Sequence, residues 1–291
     1  MSRRELIRGA ASSLGLVLAA CKAPPPATAT PTEAPTPQAS PTAPRGRPVV
    51  GAIRWDAWFG DKGVPGRAVE KSLGPARWHY RLPFYAVEVS DTEVRVRGDT
   101  QEIMDQEIAY ASAAGLDYWA FVTYAPEDPM SLGLKLYLSS AHRDSIHFCL
   151  NLQGGHLANP AGWPAMVKRF VGYFREPTYQ TVLDGRPLVY LFMAESMVGS
   201  GGLASWQAAR DAMDRLREAT AAAGIATPYL VIQDWSFSTA KKCLEQLGAD
   251  AIGAYASSGG GKHAPYAELA SHTERTWDTM RWMRQKAVPL V

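Results

Sequence analysis

Cysteine is scarce in this chain: Cys21, Cys149 and Cys243 are all there is. Three thiols cannot build the disulfide framework of a small secreted scaffold. Cys149 and Cys243 stand in apolar contexts and read as buried free thiols, with a disulfide between them left open. The six histidines (His79, His142, His147, His156, His263 and His272) show no HxH or HExxH spacing, so no metal site and no cofactor is expected. GxSxG and P-loop patterns are also missing. The stretch SSGGGKH (Ser257 to His263) lacks GxxxxGK[ST] and reads as a flexible cleft loop. No basic run or stripe occurs, which leaves nucleic-acid binding without electrostatic support. Nor is there an apolar run of the roughly 20 residues needed to span a bilayer.

What is present begins with a composite N-terminus. Met1 to Ala20 combine basic residues (Arg3, Arg4, Arg8), the apolar stretch LGLVLAA and small residues before Cys21. That is the layout of an export signal. Leu18-Ala19-Ala20-Cys21 resembles a bacterial lipobox, whose cysteine is lipidated and becomes the new N-terminus. Arg3-Arg4 makes a weaker match to a twin-arginine signal. Residues 21–47 are rich in proline, threonine and alanine and have almost nothing to bury, so they read as a disordered, semi-stiff tether. Lipid at one end and a folded domain at the other define an exported lipoprotein anchored at the cell envelope or surface through Cys21. Without residues 1–20 the chain keeps 27 basic and 27 acidic residues, a formal net charge of zero.

From residue 48 onward, short apolar runs alternate with amphipathic segments. The expected strands are Val49–Arg54, Leu116–Tyr124, Ile146–Gln153, Pro187–Met193, Tyr229–Asp234, Ala251–Tyr255 and Val288–Val291. They are rich in Val, Ile, Leu, Tyr and Phe and mostly lack polar alternation, as strands covered on both faces do. Helical spacing marks Asp99–Gly115, Trp163–Phe174, Trp206–Gly224, Thr239–Leu247 and Tyr266–Lys286. A β-α-β-α rhythm of this kind specifies a parallel sheet, and the length suits a (β/α)8 TIM-type barrel of about 250 residues. Only seven strands fit, so the expectation is a barrel truncated after the seventh, with an open α/β sheet as the alternative. Gly60 to Gly98 interrupts the rhythm and contains a hairpin around Ser90-Asp91, expected to cover the end of the first strand.

In parallel barrels functional groups come from the carboxyl ends of strands. Those ends carry Arg54, Asp56 and Trp58; Tyr124; Asn151, Gln153 and His156; Glu195; Asp234 and Trp235; and Tyr255. Trp78, His79 and Tyr80 add aromatic character from the insertion. Rings that stack on sugar C–H faces, together with carboxylates and amides that bond hydroxyls, suit a carbohydrate. Glu195 follows PLVYLFMA at the fourth strand's end and is the leading acid/base, with Asp56 and Asp234 as candidates for the second carboxylate that glycoside cleavage requires. Arg54, Trp58, Tyr124, Gln153, His156, Trp235 and Tyr255 are the expected sugar-binding residues. Trp55 reads instead as core facing the helices. Glu195 has a plainer reading as a helix cap near Ser196, and Asp56 as a turn cap paired with Arg54.

The stretch Ala109 to Tyr124, with Gly115 and Asp117, resembles the glycoside hydrolase family 99-like domain of endo-α-mannosidases and WbsX-type proteins. So does Pro177 to Phe192, with Tyr179 and the run Asp184-Gly185-Arg186-Pro187. The resemblance implies a (β/α)8 barrel acting on glycans without a metal. No catalytic residue is carried over by it; Glu195, Asp56 and Asp234 rest on strand-end position. The expected function is a surface-tethered glycoside hydrolase or related glycan-processing enzyme. A non-catalytic glycan-binding lipoprotein and a structural envelope protein are the alternatives.

Overall fold

The computed structural model describes residues 47–58, 64–199, 202–255 and 264–282. The signal segment, Cys21, residues 21–46 of the tether, the glycine run with His263, and the expected strand Val288–Val291 lie outside the described residues.

The chain opens with strand β1 (Gly51–Arg54), helix α1 (Val64–Leu73), the hairpin strands β2 (Val87–Ser90) and β3 (Glu93–Arg95), and helix α2 (Gln101–Ala113). Next come β4 (Tyr118–Val122), α3 (Leu132–Ser139), β5 (His147–Gln153), the single turn α4 (Gly154–Leu157) and α5 (Trp163–Phe174). The two-residue β6 (Thr181–Val182) precedes β7 (Arg186–Phe192), α6 (Trp206–Ala222) and β8 (Tyr229–Asp234). Helix α7 (Phe237–Leu247), β9 (Ala251–Ala254) and α8 (Tyr266–Trp282) complete the set.

The main sheet runs β1-β4-β5-β7-β8-β9, every neighbour parallel, with β6 antiparallel on β7. Strand order therefore follows chain order. Successive right-handed crossovers then place their helices on one face, and the sheet curls away from them. The result is a half-barrel of six strands, the (β/α) architecture expected from the sequence. Among the described residues β1 and β9 do not pair with each other. A cavity of about 620 Å³ lies between them, lined by Gly51 and Ile53 of β1, Tyr118, Tyr255, and Tyr266, Leu269 and Trp277 of α8.

Period-two alternation sorts the strand side chains. Trp119, Phe121 and Phe148 pack outward with Tyr137 of α3 in edge-to-face and tilted contacts. Tyr118, Cys149, Asn151 and Tyr190 take the barrel face, where the Tyr118 and Tyr190 hydroxyls meet at 2.7 Å. Cys149 and Cys243 are buried and free. Helix α2 buries Met104, Ile108 and Ala111. It starts at the Thr100 cap, whose side chain accepts from Ile103 N, and is followed by Gly115 at φ +83°.

The motifs behind the family resemblance hold the amino-terminal end of the sheet together. The Tyr179 hydroxyl donates to Leu188 O (2.8 Å) and accepts from Leu150 N (3.2 Å), which ties β5 to β7. Leu183, Asp184 and Gly185 take positive φ in the turn before β7. Arg186 then donates to Thr227 O, Pro228 O and the Asp250 carboxylate. Asp117 accepts from Val50 N at 2.7 Å and pairs with Arg47. In a parallel barrel this end serves stability, and the opposite end serves chemistry.

Candidate functional site

At the carboxyl end of the sheet, two aromatic groups sit side by side. The first is built from β1, β4 and β5. Trp55, 45% exposed, donates its indole N–H to the Tyr124 hydroxyl at 2.7 Å. Tyr124 also hydrogen-bonds Gln153. Its ring lies 5.4 Å from that of His156, whose Nδ1 is 3.3 Å from Thr123 O. The second comes from β7, β8 and β9. Phe192 stacks on Tyr255 with centroids 4.0 Å apart and planes 28° off parallel. Trp235, 54% exposed, meets both rings edge-on at 5.0 and 5.4 Å. Gln153 is the register partner of Phe192, so the two groups adjoin across neighbouring strands.

A polar pair lies on the same sheet face. Asn151 Nδ2 donates to Gln233 Oε1 at 2.9 Å, reaching over β7, and both residues are fully buried. Asn151 Oδ1 and Gln233 Nε2 are left without a protein partner. Buried amides are normally satisfied, so this pair is an uncommon expense inside an otherwise apolar sheet.

The carboxylates fall into two places. Asp56 is buried and takes a bond from Arg54 Nε at 2.8 Å, while Arg54 Nη2 reaches Glu107 of α2 at 2.6 Å. The Arg54 guanidinium lies 4.4 Å over the Trp119 ring, on the helix side of the sheet. A Cβ on Gly133 of α3 would collide with Asp56 Oδ2, so that helix approaches the carboxylate through its glycine. Burial raises the Asp56 pKa to about 6; Arg54 opposes the rise and Glu107 adds to it. One guanidinium shared between two carboxylates does not fully compensate the more deeply buried one. Arg54 itself is raised, since the attraction of Asp56 and Glu107 outweighs its own desolvation.

Glu195 and Asp234 occupy a different corner, beside α7. Glu195 stands on a short 3-10 turn (Ala194–Met197) entered through Met193 at φ +50°. Its carboxylate, half exposed, pairs with Lys242 of α7 at 2.7 Å. Asp234 Oδ1 accepts from Ser236 N at 2.9 Å, and Ser236 caps α7. Burial pushes the Cys243 thiol up to about 12, with the negative charges of Glu195 and Asp234 adding to it. Both carboxylates therefore lie within electrostatic reach of one buried sulfur.

The structure brings Tyr124, Gln153 and His156 together, and likewise Trp235 and Tyr255. It places Asp56 and Arg54 in the layer between sheet and helices, with Trp58 half-buried against the core. Trp55, expected in the core, is instead exposed on the rim. Arg54 pairs in register with outward-facing Phe121 and shares the helix side with Asp56, so alternation sends Trp55, between them, to the barrel face. In the insertion, His79 is held by Gly74 O and Glu88, and Tyr80 is exposed. Phe192, Gln233, Glu107 and Arg169 were not anticipated. Gln233 alone carried a signal, as an amide inside the apolar run YLVIQD.

Together these features define a parallel (β/α) half-barrel with an aromatic and amide-rich rim at the carboxyl ends of its strands. No family profile and no curated protein matches the chain. Among solved structures it is similar to the GH99 endo-alpha-mannosidase from Bacteroides thetaiotaomicron in complex with BIS-TRIS-propane. That match has 13% identity and a TM-score of 0.49 over 82% of this chain and 68% of that one. A second structure of the same enzyme gives 12% identity and a TM-score of 0.48 over 82% of this chain and 70% of that one.

Proposed function

We propose that the rim binds a glycan and that the protein processes it as a glycoside hydrolase. The observation that carries this reading is the run of exposed and half-exposed rings, Trp55, Tyr124, His156, Phe192, Trp235 and Tyr255, interleaved with Gln153. Flat apolar faces with hydrogen-bonding edges bury sugar C–H surfaces and bond the hydroxyls around them. For cleavage, an acid must protonate the leaving oxygen while a second carboxylate acts across the bond. Glu195 and Asp234, at one corner beside the Phe192–Trp235–Tyr255 group, are the pair this reading favours. Asp56, whose pKa near 6 would suit a proton donor, is almost fully buried against Arg54 and is read as holding it.

A second reading, glycan binding without cleavage, is favoured by the engagement of all three carboxylates: Asp56 with Arg54, Glu195 with Lys242, Asp234 with Ser236 N. Incubating the protein with a panel of mannans and other glycans, measuring reducing ends beside affinity, separates the two. New reducing ends support hydrolysis. Binding without them supports the second reading, and neither overturns both. Anchoring through a lipidated Cys21, at the cell envelope or surface, completes the proposal and rests on the Leu18-Ala19-Ala20-Cys21 motif and the tether behind it.

A further inference from the structure

Beside the first aromatic group lies a pocket of about 370 Å³, lined by Tyr124, Pro126, Asp128, His156, Met166 and Arg169 among others. Its walls are the β4–α3 loop, the segment after β5, and α5. That volume is in the range of small-ligand sites. Arg169 is the feature that the fold does not explain. Its guanidinium lies 5.4 Å from the Phe170 ring, and its buried Nε has no hydrogen-bond partner. Among the described residues, no carboxylate pairs with it. The pocket's other charged side chain, Asp128, has Oδ1 committed to Met130 N at 2.8 Å, where it caps a short turn. Asn159, also in the lining, turns its Oδ1 to Gly162 N at 3.1 Å.

A partly buried guanidinium with no carboxylate partner leaves its charge uncompensated unless a ligand in the pocket supplies an acceptor. Arginine's planar fork fits oxyanions, which it can bind through two parallel hydrogen bonds. Tyr124 and His156 belong both to the pocket and to the rim, so a glycan lying along the rim brings one residue to the pocket mouth. We propose that this pocket holds the carboxylate or sulfate of an acidic sugar residue, with Arg169 as its counter-ion. The inference rests on the glycan reading above and narrows it to acidic polysaccharides.

The test is calorimetric titration of the full chain with three probes: an oligogalacturonate, the same oligosaccharide with its carboxyls reduced to alcohols, and a sulfated galactan oligosaccharide. The expected result is about tenfold or greater preference for an acidic probe over the reduced one, the scale of a charge-assisted hydrogen bond. The galacturonate and sulfated arms tell carboxylate from sulfate. Arg169→Met, which keeps the side chain's apolar length over Phe170, should abolish the preference. Arg169→Lys should keep part of it. Equal affinity for the acidic and reduced probes overturns the assignment and leaves the glycan reading standing. A preference that survives in Arg169→Met overturns it as well. Failure of all three probes to bind overturns the acidic pocket, and the neutral glycan panel then decides the broader reading separately.

Discussion

Replacing Asp56 with asparagine isolates the contest between burial and ion pairing beside the first strand. In the folded protein Asp56 titrates near 6, against 3.8 for an unperturbed aspartate. The native state therefore binds this proton more tightly than the unfolded chain does. Its contribution to stability is fully present below pH 3.8 and is lost as pH rises through about 6. At about 1.4 kcal/mol for each tenfold change in proton affinity, the loss amounts to about 3 kcal/mol. An asparagine side chain at this position would still offer an oxygen to Arg54 but cannot titrate. The other ionisable groups are common to both proteins and largely cancel in the difference. Urea unfolding followed by tryptophan fluorescence, at steps from about pH 4 to about pH 7.5, gives wild-type stability minus that of Asp56→Asn. That difference should fall by about 2.4 kcal/mol across the range, since part of the loss already lies below pH 4. A difference independent of pH would refute the argument. A difference that grows with pH would mean that the attraction of Arg54 outweighs the cost of burial.

Two further outcomes are expected. Glu195→Gln keeps the shape of the side chain and removes its charge and its proton; turnover should drop about a hundredfold or more with sugar affinity little changed, and normal turnover would remove Glu195 from the chemistry. Cys21→Ser should move the exported protein from the membrane fraction to the soluble fraction, and unchanged membrane retention would count against lipidation.

The six parallel strands of the main sheet were legible because their runs are largely apolar on both faces, such as IHFCLNLQ, which ends at Gln153. Only a strand sandwiched between a barrel interior and a helix layer tolerates that pattern. Sequential parallel order then followed from the regular alternation with helices. Less was legible in the insertion, where α1 was not expected, and at α3, whose short segment LGLKLYLS carries little periodicity. The strand ends were the hardest part. A shift of one residue sends a side chain to the opposite face, and the last polar residue of a strand is often already in a turn. Arg54 and Asp56 went to the helix layer, where Glu107, distant in sequence, completes their network. Trp55, one residue out of step with both, took the opposite face and so reached the rim. Pairings such as Asn151 with Gln233, across an intervening strand, depend on curvature that no local pattern encodes.

The central claim is that the rim carries the glycan. The chain has nine tryptophans, and their indole N–H signals report on separate parts of the molecule. Trp55 and Trp235 are exposed on the rim, while Trp119 and Trp163 are buried, the latter donating to Ala212 O at 2.9 Å. The direct measurement is a nitrogen–proton NMR titration with oligosaccharides from the mannan-led panel, the indole signals assigned by single Trp→Phe variants. Shifts of the Trp55 and Trp235 signals, with those of Trp119 and Trp163 unmoved, are the predicted result. A bound oligosaccharide that leaves both rim signals in place would contradict the account.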